Sequence, residues 1–484
     1  MRSDAGGSAP LPRASVWRSR FWLGAIALLL AIQITGRWYP TPDAVRYLSA
    51  ARSLAENGRL IALGQTPGFP IGYSILVSPL FVLSDRPFLL ISVLNWVLAV
   101  IFMIGLYRWF LTFTSTHALL LTGLVMVNVN LWLQYHRPLK EMAFLAFAIW
   151  SVQLANEAIR ARVGRGRLIR ILLVSLLVGC LVSFREPGIA FALGFGLQLW
   201  FESRAGRIRR MFAVAAFLVA LAPGLALLAT SNRTHVGLPA GPPAEISAVE
   251  RITSLFSFGA RSLTANIRYR LDEVGRLLLP GMFSSYAESG GWMNPHSVIY
   301  GAVFVIVALG WWALVRSRKD NFALALPLFL AVYCFWPVQQ GTRFMLPMLP
   351  ILQLAVWQWL GRFGARRLPV LKVILALHLA TALLNWVFME IPNSRACDAQ
   401  LRNAEALAAA IDARGKLAVR RPAPDCLALS LQFIIDRPVA RLTEGQQPPP
   451  GTAWLVVSPQ ETLPPGTRRR AIGPYYLVAS PPQN

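Results

Sequence analysis

The chain has 484 residues, of which 55% are hydrophobic and 14% are charged, and its formal net charge is +25. Soluble domains carry about 25% charged residues, so this composition excludes an ordinary soluble protein. It also excludes intrinsic disorder, and four cysteines in this length exclude a disulfide-stapled scaffold. The composition is typical of a polytopic membrane protein. A basic chain can also bind nucleic acid, so the positions of its basic residues must be known first.

Membrane-spanning helices need about 17–25 apolar residues. Reading the sequence for such segments gives the predicted spans 21–36, 87–107, 117–135, 141–159, 168–184, 187–201, 211–230, 296–315, 321–338, 343–360 and 370–390. A further apolar segment, 69–84, is short and contains Pro70 and Pro79.

Clusters of Arg and Lys decide the orientation, because cytoplasmic loops carry an excess of both. The clusters lie within 2–20, 160–170, 204–210, 316–319 and 362–367. An even number of spans separates each neighbouring pair only if 69–84 does not cross. We therefore predict that 69–84 is an interfacial helix on the outer surface, with the N-terminus cytoplasmic and the C-terminus outside. Most arginines then orient the chain, and no nucleic-acid partner is expected.

The predicted fold is an all-α polytopic membrane protein of about 11 transmembrane helices with a small C-terminal α/β extracytoplasmic domain. Residues 1–20 form a cytoplasmic tail, 21–390 the transmembrane domain and 391–484 the outer domain. The first span is interpreted as an anchor, with a signal peptide as the alternative. The transmembrane domain has two large outer loops, 37–86 and 231–295, and interfacial helices are expected in the first. In the outer domain the pattern predicts helices at 404–414 and 426–435 and strands at 416–421, 438–442, 453–458 and 475–479.

The cysteines fall into two pairs. Cys397 and Cys426 both lie in the outer domain, where an oxidising compartment would allow a disulfide, and two free thiols are the alternative. Cys180 and Cys334 lie in spans and are expected to act as small apolar residues. The five His are scattered, so the sequence does not indicate a zinc site.

Two acids open helices at the outer face. Thr41, Pro42 and Asp43 predict the start of a helix that ends at Gly58, with Thr41 as its cap. Glu141 opens the fourth span. An acid at a helix N-terminus is stabilised by the helix dipole, so a purely structural role is the alternative for both carboxylates.

Four basic residues lie in short outer loops, where the rule that orients the chain predicts almost none: Arg137, Lys140, Arg185 and Arg343. They could anchor the chain by extending to the membrane surface. The functional alternative is a ring of cations for a phosphate at the outer membrane face, because Arg offers a fixed fork of donors to phosphate oxygens.

The order of these motifs resembles the GT-C superfamily of polyprenyl-phosphate-sugar-dependent glycosyltransferases, which includes protein O-mannosyltransferase-like and aminoarabinose-transferase-like enzymes. An Asp follows the first span in D-x-x-x-Y-x-x-A, formed by Asp43, Tyr47 and Ala50. A Pro-rich segment (67–73) comes next, then an acid opens the fourth span after Tyr-His-Arg, and R-x-x-x-P-x-x-P starts at Arg343. The late segment 430–438 also resembles the outer domain of such proteins.

The resemblance implies roles for individual residues. Asp43 matches the catalytic acid of the first loop, Glu141 the acid of the second outer loop, Arg343 the arginine near the carrier phosphate, and Arg185 a basic residue of the turn between two spans. The family commonly has a second acid directly after the first, where this chain has Ala44. No cofactor is therefore indicated, and a divalent metal stays an open alternative.

The hypothesis is that a sugar moves from a polyprenyl-phosphate carrier to a glycan, lipid or protein acceptor, with inversion, outside a bacterial inner membrane or a plasma membrane. Asp43 is the expected general base and Glu141 orients hydroxyl groups. The leaving phosphate needs charge stabilisation rather than a proton. The residues predicted to bind donor phosphate are Arg343, Arg185, Arg137 and Lys140, and those predicted to bind substrate are Tyr47 and His136. In the second loop Asn232, His235, Glu245 and Glu288 are candidates to meet the acceptor.

Three other functions stay open. A transporter or flippase of a lipid-linked glycan would place charges at the bilayer midplane and often has inverted repeats, and neither feature is visible in the sequence. A glycan polymerase or ligase would share the donor and the leaflet. A scaffold protein would use residues 391–484 for binding and would not need Asp43.

Overall fold

The structure is a computed structural model that describes residues 13–67, 69–162, 164–201, 206–231, 266–279, 295–317, 320–334, 341–411, 416–420, 425–443, 446–449, 452–458 and 469–479. Most of these residues are helical, and one small sheet lies near the C-terminus. This confirms the predicted helical protein with a small C-terminal α/β region. The four residues proposed to contact the acceptor lie outside the described residues: Asn232, His235, Glu245 and Glu288.

The helices follow the predicted order. They are α1 (Arg13–Ala31), α2 (Pro42–Asn57), α3 (Gly72–Leu83), α4 (Phe88–Leu111), α5 (Ala118–Met126), α6 (Val129–Trp132), α7 (Glu141–Arg160), α8 (Arg165–Phe184), α9 (Ile189–Trp200), α10 (Arg207–Ser231), α11 (266–278), α12 (Pro295–Ser317), α13 (Asn321–Cys334), α14 (Leu349–Leu360), α15 (Arg367–Asn385), α16 (Ile391–Ala410) and α17 (Asp425–Ile435).

Within the described chain, five helices are long and apolar enough to cross a membrane: Phe88–Leu111, Glu141–Arg160, Arg165–Phe184, Val298–Ser317 and the continuous Arg367–Ala410. The exposed side of α4 shows why such a helix suits lipid. It carries the exposed residues Leu89, Val93, Val97, Ile101 and Ile104 at helical spacing. Large apolar side chains on an outer surface are stable against hydrocarbon rather than water. The number of eleven spans stays a prediction.

Two of the predicted spans are not single continuous helices. The span 117–135 is interrupted at Asn128, whose side-chain oxygen accepts from Asn130 N at 3.1 Å and whose amide donates to Leu277 O at 2.7 Å. The local bond to Asn130 competes with the helical hydrogen bonds. The long-range bond to Leu277 holds Asn128 at the break between α5 and α6. The span 343–360 begins with two 3-10 turns, and α14 starts only at Leu349 because Pro347 and Pro350 fit first-turn positions and not a helix interior.

The start and the end of the helix predicted in segment 37–86 are as expected. Thr41 Oγ1 accepts from Ala44 N at 3.0 Å, Pro42 opens α2, and Gly58 ends it with φ of 65°, a left-handed conformation that favours glycine. The predicted interfacial segment 69–84 contains α3, which packs against α2. Its position at a membrane surface stays a prediction.

The C-terminal sheet has the strands β1 (Lys416–Arg420), β2 (Val439–Leu442), β3 (Thr452–Val457), β4 (Arg469–Ile472) and β5 (Tyr475–Ala479). Their order is β2-β1-β3-β5-β4, with β1 parallel to β2 and β3, and β5 antiparallel to β3 and β4. Apolar residues of α16 and α17 cover one face of the sheet. The sequence predicted four of the strands and missed β4, whose side chains are mostly exposed and show no alternation.

The helix predicted at 404–414 begins earlier, at Ile391, and ends at Ala410. It continues from α15 through a π-helical turn, Trp386–Glu390. Pro392 lies in the first turn of α16, directly after this π-helical turn, and the helix continues through it. The C-terminal region is thus joined to α15 by helix rather than by a loop.

Gly310 on α12 provides a test of helix packing. A Cβ at Gly310 would overlap the backbone oxygen of Ala355 on α14, whereas a Cβ at Gly301 on the same helix would meet nothing within 4 Å. We expect Gly310→Ala to destabilise the protein by about 1–3 kcal/mol through overpacking. Thermal unfolding in detergent measures the effect. Gly301→Ala is the control and should leave the midpoint unchanged or raised; equal midpoints for both variants would contradict the packing of α12 on α14.

Candidate active site

Four of the residues predicted from the sequence form a row of alternating charges. Asp43 lies in the first turn of α2, Glu141 is the first residue of α7, Arg185 follows α8, and Arg343 lies in the 3-10 turn before α14. Asp43 Oδ2 is 3.0 Å from Arg343 Nη2, and Arg343 Nε donates to Glu141 Oε1. The same Glu141 oxygen is 3.5 Å from Arg185 Nη1. Segments distant in sequence therefore converge on one site.

Burial increases along this row. The side chain of Asp43 is 31% exposed and that of Arg343 19%, whereas Glu141 and Arg185 are exposed by only 1% and 2%. Asp43 is thus the acid that a molecule from outside can reach. Glu141 is the inner counter-ion of both guanidinium groups.

Arg185 has unused hydrogen-bonding capacity. Its Nη1 and Nη2 are buried and make no hydrogen bond with any described residue, and the 3.5 Å contact with Glu141 is an ion pair without a hydrogen bond. Its guanidinium lies 4.7 Å from the ring centre of Phe344. Buried donors without acceptors cost free energy, so a group with charged oxygens would be stabilised here.

Lys140 lies beside the same row, at the N-terminal end of α7. Its Nζ is 5.1 Å from the ring centre of Tyr47, and its ammonium makes no hydrogen bond or ion pair with the part of the chain described. Burial lowers the pKa of Lys140 to about 8, and the nearby carboxylate of Glu186 partly opposes this shift. Tyr47 is buried, and burial raises its pKa, so its phenol stays protonated under the ammonium.

His136 and Arg137 belong to a second group around Glu390. Glu390 accepts from His136 Nε2 and from Arg137 Nη2, each at 3.1 Å. Gln33 lies 3.1 Å from His136 Nδ1, and the amide orientation that satisfies Gln33 makes it the donor to Nδ1. Burial lowers the pKa of His136, so the ring is neutral and Nε2–H donates to Glu390. The predicted ring of cations is therefore divided, with Arg137 held by Glu390.

Sequence reasoning missed Glu390 and a buried pair on α11. Glu390 was placed at the end of a span, and its only signal was an isolated acid after a long apolar segment. On α11, Arg270 Nη1 is 2.6 Å from Glu273 Oε2, and both side chains are 2% exposed. Arg270 also donates to Tyr333 O at 3.2 Å, and the Tyr333 ring stacks 5.1 Å from that of Phe344.

The remaining predictions concern a metal and a disulfide. Across the described ranges, no group of three or more His, Cys, Asp or Glu residues is placed to hold a metal ion. Cys397 and Cys426 are joined as a disulfide between α16 and α17, with their Cα atoms 5.5 Å apart.

No family model matches the chain, and no curated protein matches its sequence. Solved structures do match. The structure of ArnT from Cupriavidus metallidurans in the apo state is 13% identical, covers 96% of this chain and 98% of its own, and gives a TM-score of 0.58. The structure of the same ArnT bound to undecaprenyl phosphate is 14% identical, with the same coverage and a TM-score of 0.55.

The chain has the ArnT fold. This likeness confirms, at the level of the fold, the resemblance predicted from short motifs. The match extends over nearly the whole length of both chains, including the small C-terminal domain.

The role of Glu141 as counter-ion of both arginines can be tested by measuring the free energy of unfolding. Replacement Glu141→Gln leaves the Arg185 guanidinium buried without a counter-ion, so we expect a loss of about 3–5 kcal/mol in the free energy of unfolding. Glu157→Gln on the same helix is the matched control, because Glu157 is exposed, pairs weakly with Arg170 and should cost no more than about 1 kcal/mol.

A double-mutant cycle compares the single variants Glu141→Gln and Arg185→Met with the double variant Glu141→Gln/Arg185→Met. The double variant should be more stable than the sum of the single losses predicts, since the two side chains interact directly. Additive losses would show that the pair is not coupled.

Proposed function

We propose that the protein is a membrane glycosyltransferase that moves a sugar from a polyprenyl-phosphate carrier to an acceptor hydroxyl at the extracytoplasmic face. The observation that carries this proposal is the buried guanidinium of Arg185, with two donors unused, in contact with Glu141 beside the accessible carboxylate of Asp43. This arrangement supplies an anion site and a base in one place. The ArnT fold supports it, because that protein binds undecaprenyl phosphate.

Asp43 is the general base in this proposal. Its carboxylate is 31% exposed, and Thr41 and Pro42 fix it in the first turn of α2. It takes the proton of the acceptor hydroxyl while that oxygen attacks the anomeric carbon. The bond from the anomeric carbon to the carrier phosphate breaks in the same step, so the configuration inverts.

The cations stabilise the leaving phosphate. Its negative charge develops beside Arg185 and Lys140, whose N–H groups have no other acceptor among the described residues. Arg343 lies between Asp43 and Glu141 and connects the base to the phosphate site. The sequence predicted that Glu141 orients hydroxyl groups; its burial and its two arginine contacts favour a counter-ion instead.

Asp43→Asn tests the base. The amide side chain has nearly the size of the carboxylate and leaves the Thr41 cap of α2 in place, but it cannot take a proton. We therefore expect the rate of sugar transfer to fall by about 10²–10⁴-fold. The measurement is release of undecaprenyl phosphate from undecaprenyl-phosphate-linked sugars by the purified protein in proteoliposomes.

Asp85→Asn is the control, because Asp85 is an exposed acid of the same outer loop. It should leave the rate unchanged. An Asp43→Asn protein that remains folded and transfers sugar at the full rate would overturn the proposed function.

The Lys140 ammonium gives a pH test. Because its pKa is about 8, its positive charge is present below that pH and is lost as the pH rises through it. We expect the affinity for undecaprenyl phosphate to fall by about 10-fold or more across this range, the effect of losing one charge-assisted hydrogen bond. The phosphate itself changes charge near pH 6 and does not interfere. Affinity is measured by titration of the purified protein.

Lys140→Arg is the matched variant, since a guanidinium stays charged over the whole range. Its affinity should be independent of pH above about 7. A fall of the same size in Lys140→Arg would assign the pH dependence to another group.

A further inference from the structure

We propose that the C-terminal domain positions the catalytic carboxylate, by holding both the segment before α2 and the middle of α2, and that the Cys397–Cys426 disulfide fixes the two helices that hold it. This inference rests on the proposed function, since it treats Asp43 as the base. It assigns a task to the C-terminal domain, whose described residues include no member of the row of charges.

The first contact lies just before α2. Trp38 is fully buried, and its backbone N–H donates to Asp398 Oδ1 of α16 at 2.9 Å. Its indole Nε1–H donates to Ser430 Oγ of α17, also at 2.9 Å. The indole ring also packs 4.9 Å from the ring of Phe433. The chain therefore enters α2 from a residue that two helices of the domain hold.

The second contact lies in the middle of α2. Arg52 Nη1 donates to Phe433 O at 3.0 Å, and the guanidinium lies 4.0 Å from the Phe433 ring centre. Ser49 donates its hydroxyl hydrogen to Asp436. The same end of α17 therefore contacts both Trp38, which precedes α2, and the middle of α2. A helix held at two points cannot rotate or slide without breaking hydrogen bonds.

The disulfide lies between the two acceptors that hold Trp38. Cys397 directly precedes Asp398, and the hydroxyl of Ser430 donates to the backbone oxygen of Cys426 at 2.6 Å. The bond therefore fixes α16 relative to α17 where both helices contact Trp38. Reduction to two thiols removes this constraint without altering any residue of the active site.

The consequence for catalysis concerns Asp43 rather than the phosphate site. Asp43 is carried by α2, whereas Lys140 and Arg185 are carried by the ends of α7 and α8. A displacement of about 1 Å at a reacting group can cost about 10²-fold in rate. Loosening α2 should therefore lower kcat and leave the affinity for undecaprenyl phosphate nearly unchanged.

The experiment compares the Ser430→Ala protein, the Cys397→Ser/Cys426→Ser protein and the wild type reduced with dithiothreitol. We expect amide hydrogen exchange in 42–57 to become about 10-fold faster, and kcat to fall about 10-fold or more, with undecaprenyl phosphate affinity within about 2-fold. The reductant should have no effect on the double serine variant. Tyr475→Phe is the matched control: it removes a 2.8 Å hydrogen bond to Gln400 within the domain, away from α2, and should leave the exchange and kcat unchanged.

The two readouts separate the possible failures. Unchanged exchange in 42–57 after reduction of the folded wild type would overturn the inference, whether or not the variants fold. Faster exchange with unchanged kcat would overturn it as well, because α2 would then move without affecting the base. Full activity of Asp43→Asn would instead refute the proposed function, and hydrogen exchange would still report whether the domain holds α2.

Discussion

The site depends on one buried carboxylate that two guanidinium groups share. Glu141 is almost completely buried, yet it contacts both Arg343 and Arg185. A buried charge is stable only when it is paired, and each arginine would be destabilised without this acid. One negative charge cannot satisfy two guanidinium groups, so Arg185 keeps unused donors and Arg343 extends to Asp43. The Arg185 donors that Glu141 does not satisfy are what make the site suited to an anion.

The fold brings the members of this row together from separate parts of the chain. Each lies at a helix end or in a turn beside one, where the backbone changes direction and a side chain can leave the apolar layer. The helices supply a rigid support, and the contacts of Trp38 and Arg52 extend that support to the C-terminal domain. If the domain positions α2 as proposed, catalytic precision depends on a domain that contributes no residue to the row of charges.

Local features of the site could be predicted from the sequence, whereas long-range ones could not. The cap at Thr41 and the end at Gly58 depend on neighbouring residues, and the arginines were conspicuous because they break a charge rule for outer loops. The pairing of Arg137 with Glu390 joins residues 253 positions apart, and no periodicity encodes it. The break at Asn128 likewise depends on a contact with Leu277 across the fold.

The most direct test is a structure of the protein with undecaprenyl phosphate bound. The account predicts phosphate oxygens within about 2.7–2.9 Å of the Arg185 terminal nitrogens, with Glu141 still paired to Arg343 and the Asp43 carboxylate facing the side from which an acceptor arrives. A phosphate bound beside Arg137 and Glu390, or anywhere out of contact with Arg185, would contradict the central claim.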